Sequence, residues 1–143
     1  ADGFLIEARR QAIPSMELLG TASICDIGVP RHRLAEAFAG LQRIEDERGV
    51  SIFTIAHAAD GNLHPIIVVP EGQSITSGAP KAALGDMFHL AQLLGGTLTG
   101  EHGIGLLKQD WLAEELGETS LALQRRLRAV FDPQGILNPG KAI

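Results

Sequence analysis

A chain of 143 residues is one domain's worth, long enough for a full hydrophobic core. Its net charge of -5 argues against nucleic acid or an anionic membrane as a partner, and basic residues cluster only at Arg31/Arg33 and at Arg125/Arg126/Arg128, the latter expected on a solvated helix face. The lone Cys25 excludes an internal disulfide and fits a reducing, cytoplasmic setting; no apolar run approaches the roughly 20 residues of a membrane span, and no signal-peptide pattern is present.

The chain starts Ala1-Asp-Gly-Phe4 without a methionine, as expected of a piece excised from a longer protein. Phe4 to Ala12 reads as a short helix carrying Glu7, Arg9 and Arg10 and closed by Pro14, which cannot continue it. Ala22 to Val29, with Ile24 and Ile27, alternates as a short strand. Pro30 then opens a helix from its favoured first-turn position; Leu34, Ala37, Phe38, Leu41 and Ile44 recur at helical spacing, and Gly49 stops the run. Two apolar strand-like runs follow, Val50 to Ile55 and Ile66 to Val69. A loop of Gly, Ser and Thr lies between Pro70 and Pro80. Beyond it Leu84, Met87, Phe88, Ala91 and Leu94 form a core stripe rather than a cofactor box, with His89 as a surface histidine, and Gly95-Gly96 ends the helix.

Thr97 to Thr99 is a short β-branched strand, so the order is β-α-β-β-α-β. That order predicts an α+β domain over residues 21–105, a ferredoxin-like antiparallel sheet with two helices on one face. Residues 106–143 form a helical tail: Trp111 to Leu116, a helix from about Thr119 through Leu123, Leu127, Val130 and Phe131, then turn chemistry from Asp132 to Lys141.

Between the two central strands lies His57-Ala-Ala-Asp-Gly-Asn-Leu-His64. Asp-Gly between apolar runs is a strong hairpin signal, because a type I′ turn needs positive φ at both central residues. With Asp60 and Gly61 as the loop, Ala59 pairs with Asn62 and His57 with His64. Directly opposed residues have Cβ atoms about 4.5–5.5 Å apart, which lets both imidazoles reach one divalent ion. A metal needs a third ligand, and Glu101 in Thr97-Leu-Thr-Gly-Glu-His-Gly-Ile-Gly105 can supply it. His102 beside it is a candidate base. In an extended backbone the two side chains point to opposite sides, and Gly100 and Gly103 permit a sharp bend.

Two histidines and a carboxylate leave coordination positions open, which suits a catalytic zinc, manganese or iron ion. Such a site polarises a bound oxygen, and a neutral histidine can then take the proton. A 2-hydroxy acid fits, since hydroxyl and carboxylate chelate one ion together, with Arg9 or Arg10 clamping the carboxylate. Gly100, Gly103 and Gly105 do not make a dinucleotide fingerprint.

Three ordered motifs, His57-x-x-Asp-Gly-Asn-x-His64, Gly100-Glu-His-Gly-Ile-Gly105 and Phe131-Asp-Pro-x-Gly-Ile-Leu-Asn-Pro-Gly-Lys141, resemble the C-terminal (cap) domain of FAD-linked oxidases of the vanillyl-alcohol oxidase type. The resemblance is nearest to the D-subunit of glycolate oxidase and to D-lactate and D-2-hydroxyglutarate dehydrogenases. It implies that His57, His64 and Glu101 bind the divalent metal and that His102 is the base on the substrate hydroxyl while hydride passes to the flavin. It further implies that Arg9 holds the substrate carboxylate and that Asn138 lies against the flavin. Ala59 stands where the family usually has glycine, and Ile24 where hydroxyglutarate-type members carry lysine, which favours a small monocarboxylate such as glycolate or lactate.

The family's FAD-binding domain is absent, so this piece alone is expected to bind no FAD and to be inactive. An iron-sulfur subunit or a second copy is a possible partner by family analogy. Two other readings compete. One is a metal-dependent hydrolase, for which Asp60 is the only local water-activating carboxylate. The other is a non-catalytic structural or dimerisation module that pairs through its sheet edges.

Overall fold

The computed structural model describes residues 2–143, the side chains of Asp2 and Leu5 excepted. Strand β4 (Asn62–Val69) is the centre of the fold and is buried along its whole length. Its Ile-Ile-Val-Val run is β-branched, which suits a strand packed on both faces. On one side it pairs antiparallel with β3 (Ser51–His57), and on the other with β1 (Thr21–Ile24) and β2 (Ile27–Gly28).

β1 and β2 are one strand in a single register, since Ile24 faces Ile66 and Ile27 faces Leu63. The break between them lies beside Pro65. Cys25 N–H donates to the Pro65 carbonyl at 2.9 Å, but Pro65 has no N–H to return the bond. The expected strand at Thr97 to Thr99 shrinks to one antiparallel bridge between Thr97 and Gly28, closed by hydrogen bonds of 2.9 and 3.0 Å. Across the sheet the order is therefore β3, β4, β1/β2, Thr97, the ferredoxin-like arrangement.

Helices α3 (Leu34–Arg48) and α4 (Gly78–Leu93) cover one face. Leu63, Ile67 and Val69 point from β4 into the core beneath them, with Leu41, Ile44, Leu84, Met87 and Phe88. By strand alternation, His64 and Ile66 turn to the opposite face. The α3 stripe differs from expectation at Phe38, which is 43% exposed. Gly40 takes the buried position instead, because the Leu90 side chain lies only 2.5 Å from where a Cβ would stand.

The N-terminal segment forms two helices, α1 (Asp2–Arg10) and α2 (Ala12–Glu17). Pro14 does not close a helix: it sits in the first turn of α2, where its missing N–H would have no partner in any case. The tail contains α5 (Gln109–Phe131), two helical segments joined at Gly117, whose φ of 71° breaks the helix between Trp111–Leu116 and Thr119 as the sequence predicts. Trp111 packs edge-on against Phe88 at 5.0 Å between ring centres. Among the described residues no helix is long and apolar enough to cross a membrane.

Candidate metal and substrate site

The β3–β4 connection is a four-residue loop, Ala58 to Gly61, and not the expected two-residue turn. His57 faces Asn62, and His64 faces Ile55. Asp60 decides this register: its Oδ1 accepts the Asn62 N–H at 3.0 Å, while the Asp60 and Gly61 N–H groups both donate to the His57 carbonyl. Gly61 takes a φ of 85° and its carbonyl accepts the Val29 N–H, so the loop is docked on the neighbouring strand. The shift relative to the expected pairing is two residues, which preserves the face. Both histidines stay on the face away from α3 and α4, their rings edge-to-face with centres 5.0 Å apart.

The third donor arrives because the chain turns sharply after Thr99. The N–H groups of Gly100, Glu101 and His102 all donate to Asp26 Oδ2, at 2.6, 2.5 and 3.0 Å. Thr99 Oγ1 donates to the same carboxylate and accepts the Gly103 N–H at 2.9 Å. Gly100 lies against the Asn62 side chain, with Asn62 Oδ1 2.4 Å from where a Cβ would be, so a larger residue would push the turn away from β4.

Asp26 is fully buried and its other oxygen meets the buried Lys108 ammonium, which also donates to the carbonyls of Asp26 and Leu98, both at 2.8 Å. Burial opposes ionisation of Asp26, but the Lys108 ammonium and the His102 and Glu101 N–H groups outweigh it and hold its carboxyl well below the usual carboxylate range. Sequence reasoning missed both residues. The only signal was a carboxylate inside an apolar strand and a lysine following Leu106 and Leu107.

Glu101 Oε1 ends 3.1 Å from His64 Nε2 and 3.7 Å from His57 Nε2. One ligand atom from each of the three lies within 4.8 Å of the others. Tetrahedral bonds of about 2.1 Å require ligand separations of about 3.4 Å, so the donor set fits a first-row divalent ion with little movement. His64 Nδ1 is buried without a partner among the described residues, which leaves Nε2 as the nitrogen available to a ligand.

His102 does not point away from Glu101, as an extended backbone would require. The turn places both on one side, with the His102 ring stacked on His64 at 5.0 Å and its Nε2 3.9 Å from Glu101 Oε1. Both line a pocket of about 320 Å³ together with His57, His64 and Arg9, over an apolar floor that includes Ile24, Ile55 and Ile66. Arg9 reaches it from the last turn of α1, whereas Arg10 is paired with Glu7 at 3.8 Å.

A sequence profile for FAD linked oxidases, C-terminal domain, matches residues 4–142. The chain belongs to this family. It is 38% identical over 138 residues to a glycolate oxidase subunit of Bacillus subtilis, covering 96% of this chain and 29% of that protein. It is 38% identical over 120 residues to a D-lactate dehydrogenase of Archaeoglobus fulgidus, covering 84% of this chain and 26% of the relative. A glycolate oxidase subunit of Escherichia coli is 29% identical over 136 residues, 94% of this chain and 27% of its own length. The chain thus spans under a third of the length of these relatives.

In this FAD-linked oxidase domain, Asn138 stands apart from the pocket. It lies in the exposed tail at a φ of 46°, its carbonyl accepting from Arg128 at 3.1 Å. Arg128 also binds the carbonyls of Leu137, Lys141 and Ile143, so it organises the tail and is not the free helix-face charge the sequence implied. The tail is tied back to the site loop through Ala142 N–H, which donates to the Gly105 carbonyl at 2.8 Å. His89 is an exposed histidine paired with Glu114 at 2.9 Å, as expected.

Proposed function

We propose that this chain is the substrate-side part of a flavin-dependent dehydrogenase that oxidises a small D-2-hydroxy acid, of the glycolate or D-lactate class, to the 2-keto acid. The observation that carries the reading is the convergence of His57, His64, Glu101, His102 and Arg9 on one pocket. Arg9 pairs with the substrate carboxylate, which a guanidinium grips with two parallel hydrogen bonds. It is the only guanidinium or ammonium among the described lining residues, which matches a monocarboxylate, and the isoleucine floor accepts a hydrogen or a short alkyl group at C2.

His57, His64 and Glu101 would hold a zinc, manganese or iron ion, which when bound polarises the substrate hydroxyl and lowers its pKa. His102 Nε2 takes the hydroxyl proton. A flavin held by the longer protein would supply the hydride acceptor for C2, so that with the proton taken by His102 two electrons and two protons would leave the substrate in all. Asn138 and the tail of residues 106–143 face that flavin-binding part, with residues 21–105 as the substrate-binding core. A cytoplasmic location and an iron-sulfur subunit or second-copy partner belong to the same reading. Hydrolysis is not favoured, because the Asp60 carboxylate is engaged in the hairpin loop.

The test uses the full-length flavoprotein, following flavin reduction by glycolate and D-lactate alongside bound metal. His102→Ala is expected to slow flavin reduction by about 10²–10⁴-fold with flavin and metal retained. His57→Ala, His64→Ala and Glu101→Ala are each expected to lose the metal. Undiminished reduction in His102→Ala, or full metal content in all three ligand variants, would sink the proposal.

A further inference from the structure

We infer that Asp26, held in place by Lys108, is the positioning residue that aims Glu101 and His102 into one pocket; the inference rests on the proposed roles of those two residues. Successive backbone N–H groups converging on one point form a concavity that ordinarily takes an anion. Here the chain's own carboxylate fills it, through Asp26 Oδ2 and the amides of Gly100, Glu101 and His102. Three consecutive amides on one oxygen fix the backbone dihedrals of the turn, and those dihedrals set the directions of both side chains. Without that constraint the residues after Thr99 relax toward extended backbone, where neighbouring side chains diverge and only one of the pair can face the histidines.

The arrangement reaches the histidines along the sheet as well. Asp26 falls between Ile24 and Ile27, which face Ile66 and Leu63, and so lies beside His64 on the central strand. A single buried carboxylate therefore sets the turn against the strand that carries a proposed metal ligand. Its Oδ1 also lies 3.7 Å from His102 Nδ1, on the ring edge away from the pocket-facing Nε2. Lys108 is fixed by two carbonyls of its own and neutralises the carboxylate without drawing it from the amides. Glu115 is a natural control: it binds Thr97 Oγ1 and Leu98 N–H, anchoring the chain before the turn but not the turn itself.

The experiment compares full-length wild type with Asp26→Asn, Glu101→Gln and Glu115→Gln by two readouts. The first is amide hydrogen exchange in the chelator-treated protein, and the second is Mn²⁺ affinity by calorimetry. Asp26→Asn keeps the shape but has a single acceptor oxygen and no charge; the Lys108 ammonium, the stronger donor, takes that oxygen and leaves the NH2 group facing the turn amides. The variant is expected to release the amides of Gly100, Glu101 and His102 while those of Gly28 and Thr97 stay protected, and to weaken Mn²⁺ binding by about 10–100-fold. Glu115→Gln is expected to leave Mn²⁺ affinity unchanged.

Retained protection of the turn in Asp26→Asn overturns the inference, and so does a general rise in exchange that includes Gly28 and Thr97, which would mark a merely structural residue. Unchanged Mn²⁺ affinity in Asp26→Asn where Glu101→Gln loses it also overturns it. If Glu101→Gln too leaves Mn²⁺ binding intact, the metal reading has failed, and turn exchange alone decides the role of Asp26. Should Asp26→Asn not fold, Thr99→Val removes one hydroxyl from the same network; faster exchange at Gly103 with about tenfold weaker Mn²⁺ binding supports the inference, and no change in either overturns it.

Discussion

Asp26 shows how one buried side chain can carry electrostatic and geometric duties together. Its carboxyl is held ionised by Lys108 and by backbone N–H groups despite full burial. A group whose folded pKa is depressed stabilises the fold above its unfolded value, near 3.9, and the contribution is lost as pH falls toward the folded value. Removing Lys108 leaves the carboxylate without its counter-charge, so Lys108→Met is expected to cost about 3–5 kcal/mol at neutral pH. The gap to wild type should narrow as pH falls through the ordinary aspartate range, because the buried carboxylate left without Lys108 takes up a proton and sheds its uncompensated charge, whereas folded wild-type Asp26 stays ionised and only its unfolded chain gains the proton. Urea unfolding of both proteins between neutral pH and about pH 3 checks this. A gap constant over that window would remove the ion pair as its source.

At the scale of elements, the hairpin shows what was legible in the sequence and what was not. Strand order, the two covering helices and the gathering of His57, His64 and Glu101 follow from periodicity and motif spacing. The register did not, because Asp60 uses its side chain to close a four-residue loop, and a local Asp-Gly signal cannot distinguish that from a two-residue turn. The site survived the error because a shift of two keeps the face. The bend at Glu101 and His102 was legible in Gly100 and Gly103, but what holds it was not: its amides bond to a residue more than 70 positions earlier, and no local pattern encodes such a partner.

The docked loop yields a test of its own. Gly61 and Gly49 both adopt positive φ, 85° and 62°, so an alanine at either pays the same class of backbone strain. Only at Gly61 would the new Cβ also meet backbone, 2.0 Å from the Val29 carbonyl oxygen; at Gly49 nothing lies within 4 Å. Gly49→Ala is expected to cost about 1 kcal/mol, and Gly61→Ala about 2–3 kcal/mol more through overpacking against a main chain that cannot rotate aside. Equal losses in thermal unfolding would mean that the loop is not pressed against the Val29 main chain, just past β2, in solution.

For the whole molecule, the informative surface is the end of α5. Leu123, Leu127, Val130 and Phe131 recur at helical spacing on one side, and Val130 and Phe131 are 73% and 81% exposed; Ile136 and Leu137 extend the apolar area into the tail. Apolar stripes of this kind are covered in a working protein. The family assignment and the relatives' greater length agree with cover from another part of the same protein, which is the arrangement proposed for the flavin-binding region. The 143-residue chain by itself is then expected to associate through this side at tens of micromolar, seen by light scattering after size exclusion. Leu127→Lys with Phe131→Lys is expected to shift it toward monomer with its helical circular dichroism unchanged, because both side chains point outward. Association that persists undiminished in the double variant would move the contact elsewhere, with the exposed β3 edge of the sheet as the next surface to test.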